Sequence, residues 1–586
     1  MLKRLTGNRI TKVFIKTALA LATAWSLTTV ELIQRLSIVP TIVFVLLFLL
    51  FRKLDLSLFD KRTRILTVIE GSVFSLFLFL GNLKLLSEGT LSSFLFKGCV
   101  FFVSIALSTA AILFEVNRLL LKLEFKSLSL KKQNRVGRFF IFIFFILLCW
   151  LPYFLSYYPG SLSIDSIEQL SQIVSNAYTN HHPFIHTMLI KLFYSLGFSI
   201  FGSACAAVAT YVVAQMVIFA AMLSVSLIYL ENTGVSKWFT YVLLAFYALC
   251  PFVAIYSITV WKDIIAGGLV LLMTMTAHFI SISDKNEEKL SVLSLIGLWG
   301  LSFLFCTFRS NQLYAYILLI PVILLCFKKN RLRLAVVMAS VVIAVIIYNG
   351  PVLGMMNVAP PDIAESLSIP EQQIAYTVVN GGNISHKDYE LINNVVDVSK
   401  IEEVYYPHIS DNIKLLIRSG GNQEYITAHK AEFLMLYLRL GIHNPLLFVE
   451  SFVYETSGYW YPKTEYWIYS AGISENSLGL DTVSLLGQGC QNCIISIMLF
   501  FQRLFHTFWD LALCLWAVIF SLFLALQKRK RLFCYAVPLA VIASLLLGTP
   551  VWAEFRYAFG VFLTVPFIIA ITFIPEKETQ NELQNN

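Results

Sequence analysis

The chain has 586 residues, of which 58% are hydrophobic and only 13% are charged. Soluble domains are roughly 45–50% apolar and about 25% charged, so this composition excludes an ordinary soluble protein. The net charge of +9 does not indicate nucleic-acid binding, because the basic residues lie in short loops between apolar blocks. Those blocks are about 20 residues long, the length that crosses a bilayer.

The apolar blocks predict an all-α polytopic membrane protein with about fourteen transmembrane helices. Residues 1–16 are basic, and the first block continues to Val30, which favours a membrane-spanning helix; a cleaved signal peptide is the alternative. The predicted spans lie near 13–30, 37–51, 64–85, 93–114, 138–157, 203–230, 236–257, 263–283, 291–308, 312–327, 334–349, 507–526, 532–549 and 555–574.

The loops alternate in charge along the chain. Basic clusters occur at 52–64, 118–138, 328–333 and 528–531, whereas the opposite short loops carry few basic residues, mainly Arg35, Lys262, Arg309 and Arg556. Because basic residues favour the cytoplasmic side, both termini are expected in the cytoplasm of a plasma-membrane protein.

Two segments are predicted not to cross the membrane. Residues 184–202 are apolar but short, and counting them as a span would reverse the charge pattern, so they are interpreted as an interfacial helix. Residues 350–506 form a polar, mainly helical extracytoplasmic insertion. The predicted organisation is a transmembrane module at 1–349 with a catalytic outer loop at 158–202, this insertion, and C-terminal spans with a short cytoplasmic tail at 507–586.

Cys490 and Cys493 form a CxxC motif in the insertion. No second pair lies at zinc-finger spacing, so a local disulfide and a plain pair of thiols both stay open.

The outer loop carries the first candidate catalytic residues. Pro159-Gly160 marks a turn, and Ser163 is positioned to cap a helix that presents Asp165 and Glu168 on one face. A carboxylate at the membrane surface is able to act as a general base toward a hydroxyl. The alternative is a pair of exposed loop acids without a role.

Three histidines follow in the same loop, His181, His182 and His186. Their spacing permits a metal site, but Pro183 interrupts a regular helix there, so hydrogen-bonding or helix-capping roles are favoured.

Charged residues also stand at three predicted outer helix ends. They are Lys262 with Asp263, Arg309 with Asn311, and Glu554 followed by Arg556 and Tyr557. Ionisable groups at membrane depth are costly and therefore indicate function; snorkelling or structural ion pairs are the alternative. The three cations share a face with Asp165, and a phosphate group needs such cations.

This arrangement resembles the GT-C superfamily of membrane glycosyltransferases, which includes protein O-mannosyltransferases and the aminoarabinose transferases of lipid A. Asp165 matches the acid of the family's first outer loop, and His182-Pro183 matches its His-Pro element. The family usually has an adjacent acid pair, whereas here Ser166 follows Asp165 and the next acid is Glu168.

The resemblance implies transfer of a sugar from a polyprenyl-phosphate carrier to a hydroxyl of a cell-envelope glycan, lipid or protein on the outer face. Asp165, Glu168 and His182 are the expected catalytic residues. Donor and phosphate would be bound by a second set, namely His181, His186, Lys262, Arg309, Asn311, Glu554, Arg556 and Tyr557. No cofactor is expected, and a divalent metal stays open. The alternatives are a transporter or flippase of a lipid-linked or anionic substrate, and a polysaccharide polymerase or ligase.

Overall fold

The computed structural model describes residues 9–125, 134–462, 464–508, 510–530, 532–548 and 550–574. The middle of the basic 118–138 cluster, Arg531 of the 528–531 cluster and the predicted cytoplasmic tail after residue 574 therefore lie outside the described residues. Within them, the chain forms helices and isolated β-bridges but no regular strand.

The membrane module begins with five helices at its N-terminus: α1 (Arg9–Thr29), α2 (Val39–Lys53), α3 (Lys61–Gly81), α4 (Leu83–Ser87) and α5 (Leu91–Leu120). The central helices are α6 (Arg135–Ser156), α7 (Ile164–Ser175), α8 (Phe184–Phe201), α9 (Ala204–Asn232), α10 (Lys237–Leu249), α11 (Pro251–Ser257), α12 (Lys262–Lys285), α13 (Val292–Phe308), α14 (Ser310–Cys326), α15 (Arg331–Ile347) and α16 (Leu353–Met355). A π-helical turn, Tyr348–Val352, joins the last two.

The insertion contributes α17 (Ser368–Val379), α18 (His386–Val395), α19 (Val398–Val404), α20 (Asp411–Gly420), α21 (Gln423–Ala428), α22 (Lys430–His443) and α23 (Pro445–Thr456). These helices have their own apolar core, which includes Ile392, Ile413 and Leu440. We call residues 357–456 the cap. The chain returns through α24 (Gln488–Phe508), α25 (Leu511–Gln527), α26 (Phe533–Leu547) and α27 (Phe555–Thr572).

Helices lie at all fourteen positions predicted to span the membrane. By length and composition, however, eight described helices are able to cross, or ten if each of two bent pairs forms one span. The eight include α8, which the charge pattern predicts to be interfacial. The all-helical, membrane-compatible fold is therefore established, while the number of spans and the orientation stay predictions.

Two glycines allow α12 and α27 to pack closely together. Gly267 of α12 faces Gly560 of α27, and a Cβ added to Gly560 would lie 3.1 Å from the Gly267 Cα. Such close backbone approach is a common way for helices to associate in a bilayer. It places the N-terminal ends of α12 and α27, which carry Lys262 and Arg556, side by side.

The loop before α7 is held between two distant segments. The Ser161 N–H donates to the Ile258 carbonyl, and the Val260 N–H donates to the Ser161 carbonyl. On its other side, the Leu162 N–H donates to the Gly472 carbonyl. These bonds anchor α7 beside the start of α12.

Candidate functional site

Asp165 lies in the first turn of α7, which is capped as the sequence predicts. Ser163 and Ser166 form a reciprocal capping box, and the Ser166 hydroxyl also donates to the Val260 carbonyl at 2.7 Å. The Trp261 indole N–H donates to the Ser163 hydroxyl at 2.7 Å. The helix N-terminus is therefore fixed against the residues that precede Lys262.

Asp165 pairs directly with Arg556, across most of the length of the chain. Arg556 Nη1 lies 2.7 Å from Asp165 Oδ2, and the Asp165 side chain is 32% exposed. The Arg556 guanidinium also lies 5.3 Å from the Trp261 ring centre. Burial would raise the pKa of Asp165, but the charges of Arg556 and Lys262 hold that pKa well below its usual range.

Lys262, His182 and Glu168 form a hydrogen-bonded chain with a fixed direction. Lys262 Nζ lies 3.1 Å from His182 Nδ1, and His182 Nε2 lies 3.2 Å from Glu168 Oε2. A lysine ammonium only donates, so Nδ1 accepts and Nε2 carries the proton that is donated to Glu168. Burial and the charge of Lys262 lower the pKa of His182, in keeping with this neutral tautomer.

Glu168 is the exposed end of this chain. Its side chain is 44% exposed, and the hydrogen bond from His182 lowers its pKa. Asp165 and Glu168 thus present two carboxylates from one face of α7, the first paired with an arginine and the second oriented by a histidine.

Both ring nitrogens of His186 are hydrogen-bonded to other side chains of the protein. It is fully buried, with Nδ1 3.1 Å from Gln169 Oε1 and Nε2 2.8 Å from the Tyr211 hydroxyl. Because neither nitrogen faces open space, the predicted substrate contact of His186 is replaced by a role in positioning α8 against α7.

Arg309 forms a buried ion pair with Asp263, whose side chain is 1% exposed. The guanidinium also lies 4.1 Å from the centre of the Tyr557 ring. Asn311, behind it, donates to the Ser544 hydroxyl at 3.0 Å. Both residues line a small polar cavity that Arg556 also borders, so they lie next to Arg556.

Glu554 is buried next to Arg556. Its Oε1 lies 3.4 Å from Arg556 Nε, without the alignment of a hydrogen bond. Burial raises the pKa of Glu554 to about 7, although the nearby charge of Arg556 lowers it.

The cap brings further charges to His181. Ligand atoms of His181, Asp362 and Glu365 lie within 4.8 Å of one another, as do those of Glu168, His181 and His182. Arg418 already pairs with Asp362 and Glu365, and the His182 proton faces Glu168. Neither group therefore holds a metal without first exchanging these partners.

The contribution of the cap was missed by sequence reasoning. Asp362, Glu365 and Arg418 stand in a polar insertion whose many charges offer no pattern that singles them out. The aromatic segment 451–470 has two environments. Tyr459 and Trp460 are buried, whereas Trp467 is partly exposed, with its ring 6.2 Å from that of Trp261.

Fold and site together define a helical, membrane-compatible protein with a cluster of paired charges between its bundle and its cap. The chain belongs to a family of unknown function, DUF6020, whose family model matches residues 173–586. The matched region contains His182, Lys262, Arg309 and Arg556, and begins shortly after Asp165. Comparison with curated proteins and with solved structures finds no match.

Proposed function

We propose that the protein is a glycosyltransferase of the GT-C type, which moves a sugar from a polyprenyl-phosphate carrier to an acceptor hydroxyl on the outer face of the membrane. The observation that carries the proposal is the convergence of Asp165, Glu168, His182, Lys262 and Arg556 at one place. These residues come from α7, the loop before α8, and the N-terminal ends of α12 and α27.

The chemistry needs two kinds of group, and the cluster has both. Asp165 accepts the proton of the acceptor hydroxyl while the hydroxyl oxygen attacks the anomeric carbon of the sugar. The bond between that carbon and the phosphate oxygen breaks, and its electron pair leaves with the lipid phosphate. Arg556, assisted by the charge of Lys262, stabilises the phosphate as negative charge develops on it. The Lys262–His182–Glu168 chain orients the second carboxylate toward the acceptor.

The test is sugar transfer by the purified protein. We expect transfer from one or more members of a panel of polyprenyl-phosphate sugars, and a rate about 10²–10⁴-fold lower for Asp165→Asn, which keeps the shape of the side chain but cannot act as a base. Asp388→Asn is the matched control, because Asp388 is a cap acid paired with Arg439. Transfer by Asp165→Asn at the wild-type rate would contradict the assignment of the base.

One feature favours a transporter as the second candidate. Helices α10 and α11 meet at Pro251 with a bend of 55°, and α11 is buried and ends next to the site. Broken helices of this kind form substrate sites in transporters. In proteoliposomes, a transporter would move a lipid-linked or anionic substrate and show no sugar transfer. A polymerase or ligase would use the same cations and differ in its acceptor, which the panel assay would identify.

A further inference from the structure

Arg556 has more hydrogen-bond donors than partners. A guanidinium carries five N–H groups, yet among the described residues Arg556 makes one side-chain hydrogen bond, to Asp165 at 2.7 Å. Its Nε is buried and has no hydrogen-bond partner within the described part of the chain. Glu554 Oε1 lies 3.4 Å from this nitrogen. The Arg556 side chain is only 16% exposed, so this mostly buried cation has fewer hydrogen-bond partners than donors.

The other two cations of the site have buried partners. Lys262 donates to His182, and Arg309 is paired with Asp263, deep in the bundle. Of the three, only Arg556 combines unused donors with a partner that is one-third exposed. It is therefore the cation best placed to bind an anion that approaches from the exposed side of Asp165.

Aromatic rings hold the Arg556 guanidinium in place. An incoming anion would therefore replace Asp165 as its partner without moving the arginine. The Arg556 guanidinium lies over the rings of both Trp261 and Tyr557, at 5.3 and 5.2 Å from the ring centres. Aromatic faces of this kind hold a guanidinium in place by cation–π attraction. An incoming phosphate would bind the same guanidinium that now binds Asp165. Phosphate and carboxylate both bind arginine through paired N–H donors.

We propose that Arg556 exchanges Asp165 for the phosphate of the lipid donor, so that Asp165 becomes available as the base only when the donor is bound. This inference rests on the proposed function. In the unliganded protein the arginine suppresses the basicity of Asp165. When the phosphate binds the Arg556 guanidinium, the Asp165 carboxylate loses its nearest positive partner and becomes a stronger base. Proton abstraction is thereby coupled to the presence of the leaving group.

The test is a binding measurement without chemistry. The probes are a polyprenyl phosphate that carries no sugar and, separately, inorganic phosphate, titrated against the purified full-length protein. Asp165 competes with the probe for Arg556, so Asp165→Asn should bind the polyprenyl phosphate roughly tenfold more tightly than the wild type. Arg556→Lys, which lacks the planar fork, should bind it more weakly.

Glu168→Gln is the matched control, because it removes one negative charge from the same helix face without touching Arg556. A gain in polyprenyl-phosphate affinity for Asp165→Asn that clearly exceeds the gain for Glu168→Gln supports the exchange. The same difference in affinity for inorganic phosphate would show that the phosphate group alone is recognised. Equal affinities of these two variants would overturn the exchange while leaving a phosphate-linked donor in place. Absence of polyprenyl-phosphate binding by wild type and all variants, each with an intact melting transition, would overturn both the exchange and the proposed function.

Discussion

At the scale of single residues, the site is built from charges that pair across large distances in the sequence, as Asp165 does with Arg556 and Asp263 with Arg309. Asp165, His182, Lys262 and Arg556 were all expected in one site, because their predicted helix ends share a membrane face. The pairing of Asp165 with Arg556 joins residues 391 positions apart, and no local pattern encodes it. The same holds for Arg309, which was expected to bind phosphate and which the structure pairs with Asp263.

The Arg309–Asp263 pair makes a stability prediction. Arg309→Met would leave the almost fully buried Asp263 carboxylate without its partner, and such losses cost about 3–5 kcal/mol. We expect a clear fall in the unfolding midpoint, which Asp263→Asn in the same chain should partly restore. Arg418→Met is the control, because the Arg418–Asp362 pair is about one-third exposed and exposed pairs contribute about 0–1 kcal/mol. An Arg309→Met protein of wild-type stability with weakened donor binding would instead support the phosphate-binding role.

At the scale of helices, hydropathy places the elements well because a long apolar run has few alternatives in a bilayer. Every predicted span coincides with a helix. The bend between α10 and α11 falls at Pro251, a residue that disrupts a helix interior, yet the sequence alone does not fix its 55° angle. The sequence alone also does not predict which helices contact each other, because those contacts depend on which small residue faces which neighbouring helix.

The contact between α12 and α27 provides a test at this scale. A Cβ on Gly560 would lie 2.8 Å from Val270 Cγ2, so Gly560→Ala should force the helices apart and cost about 1–3 kcal/mol. Because these helices carry Lys262 and Arg556, sugar transfer should fall together with the melting temperature. Gly300→Ala in α13 is the control. Among the described residues, no neighbouring atom lies within 4 Å of a Cβ added there, and alanine is more favourable than glycine in a helix by about 0.5–1 kcal/mol. Equal melting temperatures for the two variants would contradict the close packing.

At the scale of the whole molecule, composition predicts a helical membrane protein with a polar helical insertion, and the structure agrees. The position of the cap over the site was not predictable, because it depends on contacts between distant segments. The His408 ring stacks on Trp552 at 4.2 Å, and the Asn180 N–H donates to the Ala359 carbonyl at 2.8 Å. These contacts join the cap to the start of α27 and to the loop before α8, so the site lies between the cap and the helical bundle.

Which side of the membrane this site faces rests on the distribution of basic residues, and it is open to direct measurement. In a variant without the ten native cysteines, single cysteines at two exposed positions, Lys387 in the cap and Glu287 in the loop between α12 and α13, would be treated with a membrane-impermeant maleimide. The charge pattern places Lys387 outside and Glu287 in the cytoplasm. We therefore expect Lys387→Cys to react in intact cells and Glu287→Cys to react only after permeabilisation. The reverse pattern would place Asp165 and Arg556 on the cytoplasmic side, where a donor carried on the outer leaflet does not reach them.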